Sequence, residues 1–324
     1  MTTRQLRRAA TTTAAAATLA LLAACGEDGT GDRAVSADGT PPTSALAAGT
    51  HLGAVEITTA DEPGLRRFYT RGVGLEVLER TDEATLLGSD GTGLLRLVVD
   101  DAPADDPSEA GLYHSAFLYD EASELAAALL RSSQVAGAAY QGSADHTVSL
   151  AFYLGDPDGN GVELYLDRPA EGWEWTEEGV TMGSAPLDPN AFIGENLDEA
   201  DLTATPDGVT LGHLHLRAGD LEVARAFYED ALGLALTART DGAIFLSAGG
   251  YHHHLGVNTW TAAGAGDRPD SLGLRVVRLV VPDTGEVDAL ATRLEEAGVA
   301  AERDGDTVTT TDPWGTTVVV TVQA

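Results

Sequence analysis

The chain has 324 residues, room for two ordinary domains with a sizeable core. Its 51 acidic residues against 19 basic ones give a formal net charge of −32. That balance argues against nucleic-acid binding, which needs a basic footprint, and against charge-driven docking on an anionic lipid surface. The first segment is expected to lie outside the fold. Arg4, Arg7 and Arg8 precede a run of small and apolar residues from Ala9 to Ala24. This is the pattern of a secretory signal, too short and too small-sided for a spanning helix.

The run ends in Leu22-Ala23-Ala24-Cys25-Gly26, which resembles the cleavage site of a bacterial lipoprotein signal. The resemblance implies a signal peptide over residues 1–25, lipid modification of the Cys25 thiol and an extracytoplasmic protein held to the membrane by that anchor alone. Arg7-Arg8 fits a twin-arginine signal only loosely. Cys25 is the one cysteine, so no internal disulfide forms. Residues 26–49, rich in Gly, Asp, Thr, Pro and Ala, read as a flexible tether.

From about residue 50 the chain repeats itself. Leu65-Arg66-Arg67-Phe68-Tyr69 is followed by Val73-Gly74-Leu75, and Ala224-Arg225-Ala226-Phe227-Tyr228 by Leu232-Gly233-Leu234, at an offset of 159 residues (227 − 68). Each is an amphipathic helix with Phe-Tyr on its buried side and a glycine at the C-cap. Each follows a strand-like run, Leu52 to Thr58 and Leu211 to Arg217. A second pair of units has strand Leu112 to Tyr119, helix Ala122 to Arg131, turn Asp156-Pro157-Asp158-Gly159-Asn160-Gly161 and strand Val162 to Leu166. Its partner has strand Leu274 to Val281, helix Val287 to Ala297, turn Asp312-Pro313-Trp314-Gly315 and strand Thr316 to Val322. The expected fold class is therefore α+β: four β-α-β-β-β modules, 50–168 and 210–324, joined by a linker at 169–209. A single unit exposes one face of a short sheet and cannot stand alone. Pairing units curls the sheets into two cup-shaped half-barrels.

Equivalent positions in the repeats can be compared within one chain. Seven of the eight histidines, His114, His146, His213, His215, His252, His253 and His254, fall in units two and three; the eighth, His51, lies at the tether junction. His213 takes the place of Ala54, His114 of Val276 and Glu163 of Val319, while His253 and His254 are matched to Leu94 and Leu95. Ionisable groups where the sister units use apolar filler are costly unless they bind something. First and last strands line such a cup, so His114, Glu163 and His213 converge as a 2-His-1-carboxylate triad. That set holds one face of an Fe(II) or Mn(II) octahedron and leaves the other open; Zn or Ni also accepts such ligands. Because the three ligands straddle the linker, units two and three are expected to form the active cup, with one and four as an apolar companion. His215 and His252 are read as polar residues without a role, His252 at the surface.

These residues resemble the vicinal-oxygen-chelate superfamily of glyoxalase I, bleomycin-resistance proteins and type I extradiol dioxygenases, over about residues 50 to 323. The motifs are Gly111-Leu112-Tyr113-His114, Ser143-Ala144-Asp145-His146-Thr147-Val148-Ser149, Tyr153 through the Asp-Pro-Asp-Gly-Asn turn to Glu163, and Ile244 through Gly249-Gly250-Tyr251 to His254. The Asp-His pair and the triple His point to the catechol 2,3-dioxygenase-like group. The resemblance implies Fe(II) on His114, Glu163 and His213, a small aromatic diol chelating it, and O2 at a further open site. It suggests His253 or His254 as the acid-base residue, and His146 and Tyr153 as hydrogen-bonding groups around the substrate oxygens; imidazole meets the need for a base near neutral pKa. Along a strand, His253 would face opposite to His252 and His254. Unit four offers Glu302 and Thr309 near the places of His146 and Tyr153. Glu56 stands where many relatives have His, and Ser115 and Leu150 replace an expected Phe and Glu; these departures bear on substrate identity.

Two other functions compete. A glyoxalase-like lyase or isomerase would use a fourth ligand, which His254 could supply. An exported cup that sequesters an aromatic compound or antibiotic would not need the triad.

Overall fold

A computed structural model of the protein describes residues 39–323. The expected signal peptide, Cys25 and the first part of the tether lie outside the described residues. Unit one places β1 (Val55–Thr59), α1 (Glu62–Phe68), β2 (Glu76–Arg80), β3 (Ala84–Ser89) and β4 (Thr92–Val99). Unit two has β5 (Gly111–Leu118), α2 (Ala122–Ser133), β6 (Ala139–Asp145), β7 (Ser149–Gly155) and β8 (Gly161–Asp167). The linker contributes α3 (Pro189–Asn196). Unit three has β9 (Thr210–Arg217), α4 (Leu221–Arg225), β10 (Ala235–Thr240), β11 (Ala243–Ser247) and β12 (Leu255–Asn258). Unit four has β13 (Gly273–Val281), α5 (Thr284–Glu296), β14 (Ala301–Asp304), β15 (Thr307–Thr311) and β16 (Thr317–Val322).

Two sheets result. One runs β14-β15-β16-β13-β1-β4-β3-β2 and the other β10-β11-β12-β9-β5-β8-β7-β6. Units one and four thus share one sheet and units two and three the other, joined by the antiparallel pairs β13–β1 and β9–β5. The sequence halves are not the structural halves, as the position of the ligands required.

The repeated helices start on aspartates: Asp61 and Asp220 accept from backbone N–H groups of the first turn. Each helix then widens into a π turn, Tyr69–Val73 and Ala226–Ala231. Gly74 and Gly233 follow at φ 99° and 95°, a left-handed conformation that a side chain would strain. The Phe-Tyr pairs are buried as expected. Their tyrosines also tie the units together. Tyr69 Oη donates to Asp156 Oδ2 at 2.9 Å, and Tyr228 Oη donates to Asp312 Oδ2 at 2.8 Å. The Asp-Pro turns are therefore anchored by the preceding unit, and Asp156 fixes the entry to β8.

Two segments behave differently from the sequence expectation. The tether does not stay flexible up to residue 49: the Ala45 and Leu46 N–H groups donate to Gly233 O, Ala47 N–H donates to Glu286 Oε2, and Leu46 is buried. An apolar leucine with a receptive surface docks rather than remaining in solvent. The linker, in turn, pairs with both edges of the second sheet. Gly179–Val180 lies along β10 and Ala185–Pro186 along β6. Residues 181–184 bridge the two edges, covering strands that would otherwise present unpaired backbone groups. Among the described residues no helix is long and apolar enough to cross a membrane.

Candidate metal centre

Strand register brings the three expected ligands together. Ala116 on β5 lies opposite His213 on β9 and opposite Glu163 on β8. Paired residues share a sheet face, so an imidazole and a carboxylate flank a methyl group. In the adjacent row His114 pairs with His215 and with Gly161. The small residues Ala116 and Gly161 leave the space into which the long side chains turn. Glu163 Oε2 lies 2.9 Å from His114 Nε2 and 3.1 Å from His213 Nε2. Ligand atoms of the three residues all fall within 4.8 Å of one another, and all three side chains are buried.

The donor set fits a divalent metal. His114 Nε2 is buried without a hydrogen-bond partner of acceptable geometry, although the carboxylate is 2.9 Å away. His213 Nε2 does hydrogen-bond the same carboxylate oxygen at 3.1 Å, but two imidazole nitrogens and one buried anion converging on a single point are a donor set that a divalent ion can occupy. Burial acts to raise the Glu163 carboxyl, but the His213 and His114 imidazoles outweigh it and hold the group well below its usual range. Burial lowers His213, with His114 and His252 adding to it and Glu163 opposing. The anionic carboxylate and neutral imidazole are the protonation states that a metal requires.

A cavity of about 370 Å³ opens over the triad, within the range of small-molecule sites. The second expected pair lies on its wall. His146 Nδ1 donates to Gly183 O at 2.7 Å, so its Nε2 accepts, and Tyr153 Oη donates to it at 2.7 Å. Tyr153 pairs with Glu163 as Thr309 pairs with Val319, so Thr309 is its equivalent. Glu302 is not the equivalent of His146: it pairs with Thr309, the place that Gly142 takes opposite Tyr153. Unit two's hairpin runs beyond this level by four residues on the return strand (149 to 153), against two in unit four (307 to 309). The extension carries His146 over the cavity.

The triple-His run departs from the expectation. It is an irregular segment preceding β12, so strand alternation does not apply. Leu255 pairs with Leu214 as Leu95 pairs with Val55, which shifts the repeat match by one: His254 corresponds to Leu94 and His253 to Gly93. All three histidines are buried, including His252, which is wholly inaccessible rather than at the surface. His253 lines the cavity and packs on His213 with ring centroids 4.1 Å apart. Burial, reinforced by His213, His252, His215 and His114, keeps it well below the usual histidine range. His254 is not among the residues lining the cavity. Its Nδ1 accepts from Ala248 N–H at 3.3 Å and lies 2.9 Å from Ser247 Oγ, and burial pushes its pKa down to about 3. The fourth-ligand and acid-base roles considered for His254 are therefore withdrawn.

Several lining residues have no role in the sequence expectation. His215 is buried with Nε2 unpartnered and lies beside His114, ring centroids 5.0 Å apart. Phe245, Trp260 and Val148 form apolar walls, and Met182, Gly183 and Ser184 come from the linker bridge. The companion sheet lacks the site. Glu56 occupies the place of His215, opposite Val276, and is held by Arg96 and Arg275 at 3.2 and 3.3 Å.

Comparison with known proteins agrees with this architecture. The sequence profile of the Glyoxalase/Bleomycin resistance protein/Dioxygenase superfamily matches residues 51–164 and 210–320. A catechol-2,3-dioxygenase of Bacillus subtilis (strain 168) is 37% identical over 272 residues, covering 82% of this chain and 94% of that protein. In fold, the chain is similar to glyoxalase I from Zea mays (TM-score 0.51, 18% identity, 84% and 92% of the two chains). It is also similar to the cppA protein of Streptococcus pneumoniae (TM-score 0.53, 9% identity, 87% and 100%). With the profile reaching all four units and the paired-unit sheets accounting for the repeat, the chain belongs to the glyoxalase/bleomycin resistance protein/dioxygenase superfamily.

Proposed function

We propose that the protein is a metal-dependent extradiol dioxygenase that opens a catechol-type ring beside the diol, both atoms of O2 ending in the product. The observation that carries this reading is a His114/Glu163/His213 triad at the base of a cavity with a neutral imidazole, His253, beside it. The identity to a catechol-2,3-dioxygenase over nearly its whole length supports it. Fe(II) is the metal favoured, with Mn(II), Zn or Ni as alternatives.

His114, Glu163 and His213 would hold the ion on one side and leave the cavity side open. The metal supplies Lewis acidity toward the two oxygens of a catechol and the one-electron chemistry that O2 needs. The chain supplies the rest. Val148, Phe245 and Trp260 clasp the apolar ring. His253 accepts the proton from a catechol hydroxyl. Tyr153 Oη, its proton directed to His146, accepts a hydrogen bond from the second catechol hydroxyl. The bridge at 181–184 keeps bulk water from the ring. The isomerase reading loses its fourth ligand with His254 turned to Ser247.

Anaerobic reconstitution with Fe(II), followed by O2 and catechol, should give a yellow ring-opened product. Absence of product across a panel of catechols, with tight Zn binding, would favour an isomerase or a binder. We also propose that Cys25 is lipidated and anchors the enzyme outside the cytoplasm; labelled palmitate incorporated by the wild type and absent in Cys25→Ser tests this.

A further inference from the structure

The triad, His146 and Tyr153 account for much of the polar lining of the cavity, but not for a chain of buried and half-buried groups behind His253. Asp167 ends β8, four residues after Glu163 on the same strand. Its Oδ1 lies 2.9 Å from His252 Nε2, and its Oδ2 accepts from Tyr251 Oη at 2.8 Å. Tyr251 Oη in turn lies 2.7 Å from Tyr165 Oη. His252 Nδ1 lies 2.7 Å from His253 Nδ1. His252 is fully inaccessible, packed against Trp173 edge-on and against Tyr251, with ring centroids 5.1 and 4.1 Å away.

The donors and acceptors of this chain can be assigned in order. A carboxylate only accepts, so the proton between Asp167 and His252 is on His252 Nε2. A neutral imidazole carries one N–H, so His252 Nδ1 accepts. The short approach of His253 Nδ1 then requires that nitrogen to carry its ring's proton. A doubly protonated His252 would reverse the last bond. It would also add a positive charge 6.1 Å, ring to ring, from His213, beside the place of a divalent cation.

We propose that Asp167 and His252 are positioning residues that fix His253 in the Nδ1–H tautomer, leaving its Nε2 lone pair as the base of the cavity. The inference rests on the dioxygenase reading only for what His253 does with that lone pair; the tautomer follows from the hydrogen bonds. Metal ligand and tautomer control then lie on one strand, so the same β8 that sets Glu163 also sets the base.

The test is a long-range ¹H–¹⁵N correlation spectrum of the full chain labelled at histidine and loaded with diamagnetic Zn(II). The His253 signals are identified by their loss in His253→Gln. The expected result is a protonated Nδ1 and an unprotonated Nε2; a protonated Nε2 overturns the proposal. In the Fe(II) enzyme, Asp167→Asn should lower kcat roughly 10- to 1000-fold with KM within a few-fold, and Asp167→Glu should recover part of the loss. An unchanged kcat in Asp167→Asn also overturns it. If that variant does not fold, the wild-type spectrum decides alone. A spectrum as expected in a protein that cleaves no catechol leaves the tautomer standing and removes the dioxygenase reading.

Discussion

Glu163→Gln separates a metal centre from a hydrogen-bonded cluster. The change keeps the size of a buried side chain and removes the one anion between two imidazoles, 2.9 and 3.1 Å away. At a metal concentration 100 times Kd, binding stabilises the native state by about 2.7 kcal/mol. Residues 39–323, at about 2.1 cal/mol/K per residue, give an unfolding entropy of about 0.6 kcal/mol/K, so the wild type should melt about 4–5 °C higher with Mn(II). Losing a group that only orients a ligand costs 10- to 100-fold in affinity, so losing the ligand itself should exceed about 100-fold. At the same Mn(II) concentration the variant then gains no more than about 0.4 kcal/mol, a shift below about 1 °C. Scanning calorimetry with and without Mn(II) reads both values. His215→Gln, on the same sheet face and beside His114, is the control and should keep the full shift. A full shift in Glu163→Gln, or its loss in His215→Gln, would refute the assigned ligand set.

Three further outcomes follow from the same geometry. Burial raises Asp156 to about 6 against hydrogen bonds from Asn160 and Tyr69. Its contribution is therefore present below the unfolded pKa of about 4 and lost as pH rises through 6. Between pH 5 and pH 7 the wild type should lose about 1 kcal/mol relative to Asp156→Asn in urea unfolding; parallel pH profiles would contradict this. Tyr153→Phe removes the hydroxyl that donates to His146. It should lower kcat/KM for catechol about 10-fold or more while leaving the Mn(II) melting shift unchanged; full activity would remove Tyr153 from the site. Leu46→Ala should cost about 2–5 kcal/mol in denaturant unfolding if the segment before unit one is docked as described, and no measurable change would show that it is not.

The sequence made the site more legible than its surroundings. Two copies of each unit exposed His114, Glu163 and His213 because Val276, Val319 and Ala54 stand in the sister units, and strand periodicity carries that comparison into space. That periodicity is lost where the chain leaves regular structure. Strand alternation gives His252, His253 and His254 faces that an irregular segment does not obey, so only the choice of His253 over His254 had to come from the fold. His146 depends on the length of a hairpin, and hairpin length shifts every equivalence beyond the level of Tyr153. The bridge at 181–184 and the docking of Leu46 have no repeat partner and no periodic pattern, so nothing in the sequence opposed reading them as linker and tether. Asp167 was unmarked for a different reason: its partner, His252, was placed at the surface.

The pairing of unit one with unit four also sets an order of events for a chain that folds as it is made. Units two and three are neighbours in sequence, so the sheet holding the triad can close as soon as β12 has emerged. Unit one is made first, yet the strand that β1 pairs with, β13, begins only at Gly273. At 5–20 residues per second, the stretch from Val99 to Gly273 takes roughly 10 to 35 s to synthesise. Through that interval β1 presents an unpaired edge to the surroundings, the kind of edge that recruits other strands. The half that holds the triad is thus free to fold early, and its companion carries the risk of waiting.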